Sequence, residues 1–279
     1  MKHSLMMLLG MALAAVVNAD GDLGGKTDRD VTRVPFDEGK WTLVWADEFD
    51  TPGAPDPAKW ALEEGYLRNN EEQYYTKGRL ENARVEGGKL IIEARRDHWQ
   101  GKPITSASLT TLGRRVFLYG RVAVRAKIPT GRGTWPAIWT LGLPPAGEPR
   151  PDWPGCGEID IMENVGKDPA RIHANIHCAA YNHMKRNGRG NSITAPAPWE
   201  DFHEYAVEWH PDRLEFFFDD QRYFVYRKEG DDTAVWPYAT PHYLILNLAI
   251  GGAWGGEVDV ALLPHRFEVD YVRYYQARR

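Results

Sequence analysis

The chain has 279 residues, 43% of them apolar, with a formal net charge of −5. That length suits one large β domain or two small ones, and mixed charge without a long basic run argues against a nucleic-acid partner. Two cysteines, Cys156 and Cys178, are too few for a disulfide scaffold or a four-cysteine zinc site.

The first 19 residues have the layout of an export signal. Lys2 and His3 open it, Ser4 to Val17 are apolar or small, and Val17-Asn18-Ala19 offers small residues for cleavage. The stretch is too short for a membrane span, and no cysteine follows it to carry a lipid. The expectation is a secreted protein, periplasmic or extracellular, with no membrane attachment once the signal is removed. Residues 20–35 are polar and glycine-rich and read as a tail before a single domain covering 36–279. Within the tail, Gly25-Lys26-Thr27 falls short of a phosphate-binding loop, because Asp20 stands where the first glycine is needed. Later, His203-Glu204 has Val207 where a helical zinc motif needs its second histidine.

From Trp41 onward, short apolar or alternating runs follow one another, separated by Gly, Pro, Asn and Asp. They include Trp41–Trp45, Lys89–Ala94, Arg121–Ile128, Gly157–Met162, Ile172–Cys178, Phe202–Trp209, Arg213–Phe218, Tyr223–Arg227, Tyr243–Ile250 and Phe267–Tyr275. In one of them Val122, Val124, Ala126 and Ile128 alternate with Arg121, Arg125 and Lys127. Period two means strand. Long helical stripes and internal repeats are absent, so the pattern predicts an antiparallel β-sandwich of the jelly-roll type.

The segment Glu158-Ile159-Asp160-Ile161-Met162-Glu163 carries the chemistry. Strict alternation puts Glu158 and Asp160 on one face but sends Glu163 to the other, into the core. A buried unpaired glutamate is costly. One extra residue near Met162, a β-bulge, would return Glu163 to the acidic face. Two carboxyl groups of unequal pKa are what glycosidic bond cleavage needs. A solvated acidic edge or a calcium site would use the same residues. Retaining cleavage further requires the carboxyls to lie about 5–5.5 Å apart, which predicts a curved sheet with a hollow, substrate-binding face. In the following strand, Ile172, Ala174 and Ile176 alternate with His173, Asn175 and His177; the polar set should line the same hollow. Asn164–Ala170 is rich in turn formers, so the two strands should form a hairpin. A turn centred near Lys167 sets Cys156 opposite Cys178, and a disulfide is expected there.

Several ordered motifs surround this core: Trp45-Ala46-Asp47-Glu48-Phe49-Asp50, Asn69 to Thr76 (NNEEQYYT), Gly133 to Trp139 (GTWPAIW), Cys156 to Glu163, Asn247 to Gly252, and Val269 to Arg273 (VDYVR). Together they resemble glycoside hydrolase family 16, and within it the bacterial laminarinases, which are endo-β-1,3-glucanases. The likeness runs from about Trp41 to Gln276. It implies a concanavalin A-like jelly roll and a retaining mechanism without a catalytic cofactor. By position, Glu158 resembles the nucleophile, Glu163 the general acid/base, and Asp160 the carboxylate assisting them. Trp135, Trp139, Asn69, His177, Asn247 and Trp254 fall at positions expected to meet sugar. A structural calcium ion is also implied, held by Asp270 and backbone carbonyls near Glu48 and Gly88. The expected partner is a β-glucan, met by a monomer. Mixed-linkage glucan, a galactan, transfer to a second sugar, or non-catalytic carbohydrate binding are the alternatives on this scaffold.

Overall fold

The computed structural model describes residues 27–28, 31–144, 148–149 and 151–278. The export signal therefore lies outside the described residues. Every run read as a strand is a strand, and two sheets, antiparallel except where Tyr74–Tyr75 joins Lys102–Ser106 in parallel, stack face to face. The larger one runs in space through Gln221–Arg227, Arg213–Phe218, His203–Trp209, Gly120–Lys127, His265–Ala277 and Lys89–Trp99. The smaller one carries the site. Its strands are β1 (Ala61–Leu62), β2 (Ser108–Thr110), β3 (Thr134–Gly142), β4 (Glu158–Glu163), β5 (Arg171–His177), β6 (Arg189–Thr194) and β7 (His242–Ile250). Across the sheet they lie in the order β6-β5-β4-β3-β7-β2-β1. The jelly-roll sandwich is thus present.

Alternation decides what faces inward. Val122, Val124, Ala126 and Ile128 of the larger sheet meet Ile159, Ile172, Ala174, Ile176, Leu246 and Leu248 of the smaller one in one continuous core. Aromatic rings fill the wide places, among them Trp60, Trp209, Phe216 and Tyr226. Each such side chain removed from water contributes about 1.5–3 kcal/mol. No helix among the described residues is long and apolar enough to cross a membrane.

Two expectations change. The segment before residue 36 is not a loose tail throughout. Thr27–Asp28 and Thr32–Arg33 pair with the edge strand Gln221–Arg227, and Arg33 Nε meets Asp220 at 2.6 Å. An edge strand offers unpaired N–H and C=O groups, and the neighbouring chain satisfies them. Secondly, no disulfide joins Cys156 and Cys178, although both are buried. Glu158 faces His177, one residue away from the register that would oppose the cysteines. Gly157, at φ +80°, precedes the strand, and Cys178 packs into the inter-sheet core. A one-residue slip sends side chains to opposite faces.

Candidate active site

The bulge is where the carboxylates require it. Against β3, Ala137 opposes Glu163, Ile138 opposes Met162 and Trp139 opposes Asp160, so Ile161 is skipped. Against β5 the register also shifts between Asp160 and Glu163. The extra residue goes inward: Ile159, Ile161 and Met162 are all fully buried in the inter-sheet core. Glu158, Asp160 and Glu163 are left together on the open face of the sheet.

Each carboxyl has its own donors. Trp153 Nε1 donates to Glu158 Oε2 at 2.9 Å. Trp135 Nε1 donates to Glu163 Oε1 at 3.0 Å, and Asn175 Nδ2 to its Oε2 at 3.1 Å. His177 Nε2 stands 3.2 Å from Asp160 Oδ2 and 3.6 Å from Glu158 Oε1. Opposite Asn175 lies Gly190. A Cβ there would fall 2.1 Å from Asn175 Oδ1, so glycine makes the room that lets Asn175 reach Glu163.

Burial sets the electrostatics. It pushes Glu158 well above the ordinary carboxylate range, helped by the negative charge of Asp160. Asp160, with 3% of its side chain exposed, is pushed well up by burial and then by Glu163. Burial also raises Glu163, opposed by its hydrogen bonds from Trp135 and Asn175. Three acids this close and this dry oppose one another's ionisation, so all three are shifted upward together.

The flanking residues divide along the sheet. Trp135 and Trp139 are only 9% and 8% exposed, yet neither belongs to the inter-sheet core. Trp139 clusters with Ala137, Tyr243 and Ile245 on the open face, and Trp135 with Val165, Ala249 and Trp254. Trp254 stands edge-on to Trp135, with centroids 5.6 Å apart, and also meets His173 at 4.9 Å. Burial holds His173 neutral, with its pKa lowered to about 4. On the other side, Asn247 Oδ1 accepts from Trp139 Nε1 at 2.7 Å, and the Arg68 guanidinium lies 5.0 Å from the Trp139 ring centre. Asn69, at φ +51°, anchors the glycine-rich loop through its carbonyl, which accepts from Ala253 N at 2.9 Å.

The family model for glycosyl hydrolases family 16 matches residues 70–273. The chain belongs to this family. It is 47% identical over 253 residues to a β-glucanase of Rhodothermus marinus, covering 85% of each chain. The X-ray structure of the laminarinase from Rhodothermus marinus superposes with a TM-score of 0.82, covering 86% of this chain and 98% of that one. A mutant of SCLam, a non-specific endo-β-1,3(4)-glucanase of family GH16 crystallised with a β-glucan oligosaccharide, gives 0.83 at 42% identity, covering 89% and 99%. The protein is accordingly a family 16 glycoside hydrolase with the jelly roll of its laminarinase members.

Five residues of this family 16 site escaped the sequence reading: Trp153, Arg68, Glu71, Tyr75 and His183. Asn175 is where the polar alternation in β5 puts it, on Glu163. Trp153 and His183 reach the site from loops, where no periodicity marks them; their rings lie 5.1 Å apart beside His177. The residues read as calcium ligands lie along adjoining strands of the larger sheet. The strand His265–Ala277 pairs with Lys89–Trp99 up to Val269 and with Trp41–Asp47 from Val272, which leaves Asp270 at the changeover; Glu48 follows Trp41–Asp47, and Gly88 precedes Lys89–Trp99. One carboxylate with backbone carbonyls is a donor set that suits calcium. Asp270 is paired with Arg125 at 2.6 Å, and Glu48 with Arg273 at 2.8 Å. A cation would take Asp270 from Arg125.

Proposed function

We propose that this family 16 hydrolase is a secreted, endo-acting, retaining β-1,3-glucanase. The observation that carries the reading is the bulge at Ile161–Met162, which leaves Glu158 and Glu163 on one face with separate sets of donors. The laminarinase relatives and the signal-like first 19 residues support the substrate and the export.

In this reading Glu158 attacks the anomeric carbon while Glu163 gives its proton to the departing glycosidic oxygen. The C–O bond to the leaving sugar breaks, and a covalent glycosyl-enzyme forms. Glu163, now ionised, takes a proton from water, which attacks the same carbon and frees Glu158. Asp160, the most buried of the three, shares a hydrogen bond with Glu158 and holds it in place. Trp153 donates to Glu158 Oε2, which favours the charged form of Glu158 in a dry site. Trp135 and Asn175 stabilise Glu163 in its ionised stage. No metal enters these steps.

The likeness to a non-specific endo-β-1,3(4)-glucanase favours mixed-linkage glucan as a second substrate. The test is product analysis on laminarin, lichenan, agarose and carrageenan side by side. Laminarin oligosaccharides whose first anomer is β by NMR are expected. Glu163→Gln should cut turnover on laminarin by orders of magnitude, and Asp160→Asn by less. An initial α-anomer, or near-normal turnover by Glu163→Gln, would sink the mechanism. Binding without cleavage would move the protein to the carbohydrate-binding class.

A further inference from the structure

A buried carboxyl outside the catalytic strand has no part in the steps above. Glu71 is 8% exposed and lies in the loop that covers the β7 side of the open face, where it bridges to Gly251. Its Oε2 accepts from Gln73 Nε2 at 2.7 Å and from Tyr75 OH at 3.1 Å. Its Oε1 accepts from Asn69 Nδ2 at 3.3 Å. Tyr75 OH in turn accepts from Asn247 Nδ2 at 3.0 Å, and Asn247 Oδ1 accepts from Trp139 Nε1 at 2.7 Å.

This chain of hydrogen bonds has one direction only. An indole N–H can donate and never accept, so Asn247 must turn its oxygen to Trp139. Its amide nitrogen then donates to Tyr75, and Tyr75 must spend its own proton on an acceptor beyond. Glu71 is that acceptor. Without one, the cheapest rearrangement is for Tyr75 to donate back to Asn247. The amide would flip and set N–H against N–H at Trp139.

We infer that Glu71 is a positioning residue that, through Tyr75, fixes the amide of Asn247 and the indole of Trp139 as a sugar-binding platform beside the catalytic acids. This rests on the glucan-cleaving reading for its substrate, while the hydrogen-bond direction stands on the geometry alone. The same geometry distinguishes two substitutions. In Glu71→Gln the new amide has a choice of orientation, but Gln73 does not: its Oε1 already accepts from Ile250 N at 2.6 Å, so its nitrogen must point at residue 71. The new glutamine therefore presents its oxygen there, and Tyr75 keeps its acceptor. Glu71→Leu removes the acceptor.

The experiment measures kcat and KM on laminarin beside the Trp139 indole N–H resonance in ¹⁵N-tryptophan-labelled protein, assigned by its loss in Trp139→Phe. Glu71→Leu should raise KM about tenfold, the size expected for one lost buried hydrogen bond, with kcat changed less than about threefold. Its Trp139 resonance should shift. Glu71→Gln should restore both readouts. Glu71→Met, which also removes the carboxylate, should behave like Glu71→Leu and serves in its place if that variant does not fold. An unmoved Trp139 resonance in Glu71→Leu, or in Glu71→Met where that variant takes its place, overturns the inference, as does equal damage in the Gln and Leu variants. A wild-type protein inactive on laminarin would refute the substrate reading instead, and the resonance would still decide the role of Glu71.

Discussion

Glu158→Gln is expected to abolish turnover and to raise the melting temperature at neutral pH. Glu158 has 14% of its side chain exposed and shares its surroundings with Asp160, 3% exposed; their oxygens and His177 Nε2 all lie within 4.8 Å of one another. Burial and the Asp160 charge push Glu158 well up. An acid whose folded pKa exceeds its unfolded value, about 4.3, binds more protons in the folded state. Stability then falls as pH rises through that interval. Each pH unit of elevation costs about 1.4 kcal/mol. Glutamine removes the charge and keeps the contacts: its oxygen accepts from Trp153, and its amide faces Asp160. A gain of at least about 1 kcal/mol is expected, or about 2–4 °C for a domain of this size. Calorimetry across pH is the assay. The gain should grow as pH rises above the unfolded value and vanish below about pH 4, where the wild-type acids are protonated in both states. A variant that melts at or below the wild-type temperature at pH 8 would refute the claim that this carboxyl is strained by burial.

Two further outcomes follow from neighbouring contacts. Trp135→Phe removes the donor to Glu163 Oε1; because that donor opposes the rise in the Glu163 pKa and the proton on Glu163 is needed for leaving-group departure, the basic limb of the kcat/KM profile should move to higher pH. A limb that stays in place or moves acidward would remove Trp135 from this role. Calcium should raise the melting temperature of EDTA-treated protein, and Asp270→Asn should abolish that response; no change on adding the ion would exclude the site at the strand changeover.

Much of this molecule is written in local pattern. Alternation of Val122, Val124 and Ala126 with Arg121 and Arg125 identifies a strand and its inward face without any structure. So does the mismatch in Glu158–Glu163, where three acids on one face are compatible only with an extra residue near Met162; the structure has that bulge. The polar face of β5 was legible for the same reason. What repeats every two residues is set by backbone geometry, and the sequence displays it directly.

Other features are settled only when distant segments meet. A one-residue difference in hairpin register separates Cys156 from Cys178, and turn residues alone do not define a register to that precision. Residues 27–33 look like a polar tail, and pairing with the edge at Gln221–Arg227 makes part of them strand. Trp153 reaches Glu158 and Gly190 admits Asn175 through loop paths and close approaches that carry no period. The direction of the Trp139–Asn247–Tyr75–Glu71 chain joins residues up to 176 positions apart along the sequence. Hydrogen bonds act over about 3 Å, so tertiary structure alone decides which of these groups can exchange a proton or hold a sugar.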